Sequence, residues 1–143
     1  MEKFTKTIRW IIWGALFQAI LMYAVLVPIM GPDDPAEEIE KGNLVNIFGG
    51  VGLALFAIGQ GIGYFVNHLR TPEGRPKVFE HIDVAFILAL AFSEIPAILG
   101  LAIGLMGGSL PQYALLYLLS LVGMILLRPP AFYRVADKQG EKV

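Results

Sequence analysis

Apolar residues in this chain fall into long blocks rather than into the spacing of a water-facing strand or helix. Trp10 to Met30 is free of charge and ends at Gly31-Pro32; Ile47 to Val66 lies between Asn46 and Asn67. Val84 to Met106 holds one ionisable residue, Glu94, near its centre. Tyr113 to Leu127 is shorter, but the turn Gly107-Gly108-Ser109-Leu110-Pro111-Gln112 before it extends the helix back to about residue 110. A helix needs roughly 20 residues to cross hydrocarbon about 30 Å thick. The pattern therefore predicts an all-α integral membrane protein, one domain over 1–143, with four transmembrane helices at about 10–30, 47–66, 84–106 and 110–127. Lys3, Lys6 and Arg9 before an apolar run also fit a secretory leader. The run exceeds the apolar core of an ordinary leader, however, and no A-x-A-like site follows, so a spanning helix is expected.

Composition points the same way: 56% hydrophobic against 16% charged residues leaves too little polar surface for a soluble domain of 143 residues. A net charge of −1 offers no basic excess for nucleic acid, and the lack of cysteine removes disulfide and thiolate chemistry. Lys and Arg gather before the first helix, between the second and third (Arg70, Arg75, Lys77) and after the fourth (Arg128, Arg134, Lys138, Lys142). The stretch after the first helix instead carries Asp33, Asp34, Glu37, Glu38 and Glu40. Short loops rich in Lys and Arg stay in the cytoplasm, so both termini are expected there.

The second block is crowded with small residues: Gly49, Gly50, Gly52, Ala54, Ala57, Gly59, Gly61 and Gly63. Gly50, Ala54, Ala57 and Gly61 fall on one helical face, with the small-xxx-small pair Gly59 and Gly63 beside it. Such a face suits close backbone contact, either with the chain's own helices or, the sharper expectation, with copies of itself.

Glu94 carries the functional expectation. A charged carboxylate at the bilayer centre costs at least about 2.5 kcal/mol on insertion scales, and no Lys or Arg within the four spans is there to pair with it. A neutral acid that binds and releases a cation is one reading; a permanently protonated acid in a structural hydrogen bond is the other. Available partners are Gln18, Gln60, Tyr64, Ser93 and a carbonyl freed by Pro96, with Gln60 first because it lies at similar depth.

Three stretches together resemble the proteolipid subunit c of rotary F-type and V-type ATPases. Ala57-Ile58-Gly59-Gln60-Gly61-Ile62-Gly63 looks like the glycine-rich first hairpin helix of that family, and Arg70-Thr71-Pro72-Glu73 like its polar loop. Leu88 to Leu101, with Ser93-Glu94-Ile95-Pro96, looks like its ion-carrying second helix. The similarity covers about 49–106 and implies a hairpin, a cytoplasmic polar loop at Arg70, Thr71 and Pro72, and an exchangeable cation at Glu94. Gln60, Tyr64 and Ser93 would surround it. Sodium-binding members place a hydroxyl directly after the carboxylate, where this chain has Ile95, so the resemblance implies a proton rather than sodium and no other cofactor. The departures are a helix added at each end of the hairpin, with no second glycine run and no second carboxylate, so the chain is not a duplicated proteolipid.

His68 and His81 flank the cytoplasmic loop, and no metal site is expected there. Trp10, Trp13, Tyr113, Phe132 and Tyr133 read as interface anchors, the acidic run as a solvated loop, and Pro129-Pro130 as the stop of the last helix. No nucleophile-base set, P-loop or dinucleotide fingerprint is present, so a conventional enzyme acting alone is not expected. The sequence leaves three functions: a proton-carrying, proteolipid-like subunit of the bacterial inner membrane, assembled with copies of itself and with other subunits of a membrane complex; a non-catalytic assembly protein retaining the hairpin; or a small transporter or channel lined by Glu94. Whether Glu94 faces lipid or a subunit interface in an oligomer, rather than the centre of a monomeric bundle, separates the first two.

Overall fold

The computed structural model describes residues 5–31, 38–68 and 81–134. Among these residues there is no strand, and the helices are α1 (Lys6–Met30), α2 (Glu38–His68), α3 (Ile82–Leu105), α4 (Leu110–Leu126) and the single turn α5 (Pro129–Phe132). α1, the Asn43–Val66 part of α2, and α3 are long and apolar enough to cross a membrane, with mean hydropathies of 2.0, 1.6 and 2.2. α4 is apolar but has 17 residues, about 26 Å at about 1.5 Å per residue, which is less than the roughly 30 Å of hydrocarbon.

Helix ends depart from the apolar blocks because caps, not apolarity, decide where a helix stops. α1 begins at Lys6 rather than Trp10, since the Thr5 hydroxyl accepts the Ile8 amide at 3.3 Å. α2 begins at Glu38, inside the acidic stretch expected as a loop. α3 ends in a Schellman turn: Gly107, with φ 80°, donates its amide to Gly104 and Gly108 donates to Ile103. A side chain at Gly107 would be strained, so the sequence can reverse here only with glycine. α4 follows at once, the Ser109 amide donating to Gln112 Oε1 at 2.8 Å. The loop residues Arg70, Thr71 and Pro72, and most of the acidic run, lie outside the described residues.

α3 is the hub, with α1, α2 and α4 all packed against it and α4 also touching α1 and α2. α2 runs antiparallel to α3: Gly52 lies against Pro96 and Leu99, whereas Gly59, further along, lies against the earlier residues Ala89, Phe92 and Ser93. Glycines set these approaches. A Cβ on Gly59 would meet the Ala89 carbonyl oxygen and the Ser93 hydroxyl at 2.9 Å, and one on Gly104 would meet Val27 of α1 at 2.6 Å. Gly123 of α4 lies where Phe56, Gln60 and Ser93 converge.

The distribution of side chains is inverted relative to a soluble protein. Ile29 is 72% and Leu115 68% exposed, while Arg9, Asp83, Ser93, Glu94 and Ser120 are buried. Large apolar side chains outside and polar ones inside are what hydrocarbon selects, and the chain is a multi-pass membrane protein.

Candidate functional site

Glu94 sits on α3 two residues before Pro96, only 9% exposed, and turned into the bundle rather than toward its surroundings. Its Oε1 accepts the hydroxyl of Tyr23, from α1, at 3.0 Å. Tyr23 is itself located by α4, because the Tyr117 hydroxyl donates to the Tyr23 carbonyl at 3.1 Å and Tyr113 stands edge-on to Tyr117. On the backbone side, Ser120 of α4 accepts the Ala97 amide at 2.9 Å and donates to the Glu94 carbonyl at 3.5 Å. Proline at position 96 cannot donate to the preceding turn, and beside it the Ser120 hydroxyl bridges the Ala97 amide and the Glu94 carbonyl. The carbonyl that Pro96 leaves without its helix donor is that of Phe92, four residues earlier, whereas the carbonyl met by Ser120 is that of Glu94.

The partners singled out in the sequence are distributed otherwise than depth alone suggests. Gln60 donates to the Ser93 hydroxyl at 3.1 Å, so this pair joins α2 to α3 while Glu94 is joined to α1. Ser93 and Glu94 are adjacent, hence about 100° apart around the helix, and they address different neighbours. Tyr64 is exposed and stacked on His68 at 3.9 Å between ring centroids, and Gln18 is exposed on α1. Of the expected set Glu94, Gln60, Tyr64 and Ser93, the structure links Gln60 with Ser93. Tyr23 and Ser120, which sequence reasoning passed over, join Glu94.

The small residues of α2 divide into two faces. Gly52, Gly59 and Gly63 turn inward against α3, α4 and Leu127. Gly50, Ala54 and Ala57 are exposed, Gly61 is half-buried, and a Cβ on Gly50 or Gly61 would meet nothing within 4 Å.

A second polar cluster, also unanticipated, ties the ends of three helices. Asp83 accepts the Tyr133 hydroxyl at 2.6 Å, Arg9 Nε lies 3.8 Å from the same oxygen, and the Arg9 guanidinium rests 3.6 Å above the Tyr133 ring. Phe86 packs against both Phe132 and Tyr133 beneath it. Of the expected interface anchors, Trp10 is exposed, but Phe132 and Tyr133 are buried and belong to this cluster. Trp13 donates its indole N–H to the Met124 carbonyl at 2.7 Å and stacks on Phe17, so it too serves packing. Pro129-Pro130 stops α4 and also opens α5, the turn that delivers Tyr133 to Asp83. Among the described residues no three His, Asp or Glu side chains converge on a point where a metal ion could sit.

Comparison with protein-family models, curated proteins and solved structures finds no match to this chain. The proteolipid resemblance therefore rests on the residues quoted for it.

Proposed function

We propose that this chain is a four-span subunit of the bacterial cytoplasmic membrane, with both termini inside, that binds and releases a proton at Glu94 and assembles with copies of itself through the outer small-residue face of α2. The observation that carries the proposal is the Glu94–Tyr23 pair, a carboxyl held by a single hydroxyl inside an apolar bundle. A phenol is both donor and acceptor: it can donate to the carboxylate or, after a rotation of its O–H bond, accept from the protonated acid. Either charge state keeps one hydrogen bond, so the proton can come and go without repacking. The glycine-packed antiparallel pair α2–α3 and the ordered motifs that resemble a proteolipid support the same reading. In a ring-forming carrier the carboxyl faces lipid or the next subunit; here exchange takes place within each bundle, and α2 keeps Gly50, Ala54, Ala57 and Gly61 for the neighbour.

Dicyclohexylcarbodiimide attacks protonated carboxyls in apolar surroundings and tests the proposal directly. Glu94 should be modified selectively, faster in Tyr23→Phe than in the native chain, and more slowly as the pH rises. Glu94→Gln retains an acceptor for Tyr23, and should fold, escape labelling and lose any coupled proton movement. Labelling of Glu94 at a rate that does not change across about pH 5 to 9, or no labelling over that range, would refute proton exchange.

A second reading is favoured by one specific observation. Glu94 is 9% exposed and turned into its own bundle, against Tyr23 of α1, rather than toward lipid or the outer face of α2. In a non-catalytic assembly protein a carboxyl in that place would be a permanently protonated acid, and labelling at a rate that does not change with pH is the outcome that selects it.

A further inference from the structure

A cavity of about 250 Å³ lies along the last turns of α2, between Gln60 and Tyr64 on one side and Leu126, Ala131 and Phe132 on the other. We propose that it is a hydrated cleft, which carries water from the end of the bundle that holds α5 to the Gln60–Ser93 pair at mid-membrane. The inference does not rest on proton exchange at Glu94. It needs only the membrane-spanning character of α2 and α3.

The cleft follows from where the helices end. α4 stops at Leu126 and the chain turns into α5, whose Phe132 packs on Phe86 of α3, while α2 runs on to His68. Beyond Leu127, which lies against Gly63, α2 no longer has α4 beside it. Ser93 is the twelfth of the 24 residues of α3, and Phe86 lies seven residues nearer its start. At about 1.5 Å per residue the cleft therefore spans about 10 Å of depth. Its polar groups stand in a row. Gln60, Tyr64 and His68 are four residues apart on one face of α2, with the Tyr64 and His68 rings stacked at 3.9 Å and His68 exposed at the outer end. Gln60, half-buried, closes the inner end. A glutamine amide has two N–H donors and an oxygen with two lone pairs, and the Ser93 hydroxyl takes one of these donors at 3.1 Å. That is the one side-chain hydrogen bond of Gln60 among the described residues. Hydrocarbon offers nothing to the second N–H and the oxygen, and polar groups left unmet at such depth are costly, whereas water meets both. Several water molecules fit, each taking about 30 Å³ of liquid volume. An acyl chain would fill the same space but leave the Gln60 oxygen unmet, so water is the favoured occupant.

The chain has no cysteine, so single introduced thiols report directly. A thiol reacts with a charged methanethiosulfonate as its thiolate, which apolar surroundings disfavour. Leu126 and Ile125 are neighbours on α4 at one depth, 57% and 51% exposed, but of the two only Leu126 lines the cleft. In open membrane fragments holding the full chain, Leu126→Cys should react at least about ten-fold faster than Ile125→Cys, the effect of one pKa unit on the thiolate. Adding Gln60→Leu, which puts an apolar side chain of similar size at the inner end, should lower the Leu126→Cys rate to that of Ile125→Cys. Ala131→Trp, which closes the cleft from α5 and leaves Gln60 in place, should do the same and carries the test if Gln60→Leu does not fold. Equal rates for Leu126→Cys and Ile125→Cys would overturn the proposal. Both slow would mean a cleft filled by an acyl chain, and both fast would mean that the end of α4 lies among the headgroups. A Leu126→Cys rate that Gln60→Leu leaves unchanged, or Ala131→Trp where it stands in, would overturn it equally.

Discussion

Gly59 and Gly61 lie two positions apart on α2, read alike in the sequence, and should respond to the same substitution with opposite sign. A methyl group on Gly59 would stand 2.9 Å from the Ala89 carbonyl oxygen and the Ser93 hydroxyl and 3.1 Å from Phe92 Cβ. The carbonyl belongs to helix backbone and cannot turn away, so α2 must withdraw by about 0.5 Å to reach ordinary contact near 3.4 Å. That withdrawal takes the 3.1 Å Gln60–Ser93 hydrogen bond to about 3.6 Å, beyond useful length. Overpacking costs about 1 to 3 kcal/mol, and a hydrogen bond between membrane helices about 0.6 kcal/mol, so Gly59→Ala should destabilise by about 2 to 3 kcal/mol. A methyl group on Gly61 meets nothing within 4 Å, so Gly61→Ala should be neutral or stabilising by up to about 1 kcal/mol through helix propensity. Reversible unfolding of the full chain in mixed micelles, followed by circular dichroism, measures both. If Gly59→Ala falls within about 0.5 kcal/mol of the native chain, or Gly61→Ala loses as much as Gly59→Ala, the assignment of the inner and outer faces of α2 is wrong.

Two further substitutions test the remaining polar joints. Ser120→Ala leaves the Ala97 amide and the Glu94 carbonyl without their shared hydroxyl, and should cost about 1 kcal/mol in the same unfolding measurement, up to about 1.7 if both groups stay dry. Tyr133→Phe keeps the ring beneath Arg9 but removes the 2.6 Å bond to Asp83; a loss of about 1.5 to 3 kcal/mol is expected for a hydrogen bond to a charged acceptor, with faster amide exchange at the start of α3.

Much of the architecture is legible in the order of the residues. Uncharged blocks reveal the long helices, and Gly107-Gly108-Ser109 reveals the turn between α3 and α4, because hydrocarbon length and backbone sterics act locally. The ends of the helices are less so: α2 continues back to Glu38 through charged residues that an apolar count assigns to a loop. The Arg9 cluster shows a different blindness. Arg9 read as one of several cations marking a cytoplasmic end, and Tyr133 as an interfacial ring. Their union with Asp83 joins residues far apart in the chain, and only Asp83, an acid at the foot of an apolar block, hinted that a partner was needed.

The limit is clearest at Ser93 and Glu94. Depth can be counted along a helix, and by depth Gln60 was a reasonable partner for the acid. Azimuth cannot be counted in the same way, because it depends on which helices stand on which side of α3. With α2 against the face of Ser93 and α1 against the face of Glu94, one turn of α3 separates two polar functions: Gln60–Ser93 locks the glycine-packed pair together, and Tyr23–Glu94 leaves the carboxyl with a single partner on a different helix. Tyr23 was hidden because it lies in an apolar block between Met22 and Ala24, where a tyrosine adds ring area and no charge. The division has a mechanical consequence. A change in α1 can alter the surroundings of Glu94 on a face other than the one packed on α2, so the proton exchange proposed at Glu94 is compatible with tight packing at Gly59 on a neighbouring face of the same helix.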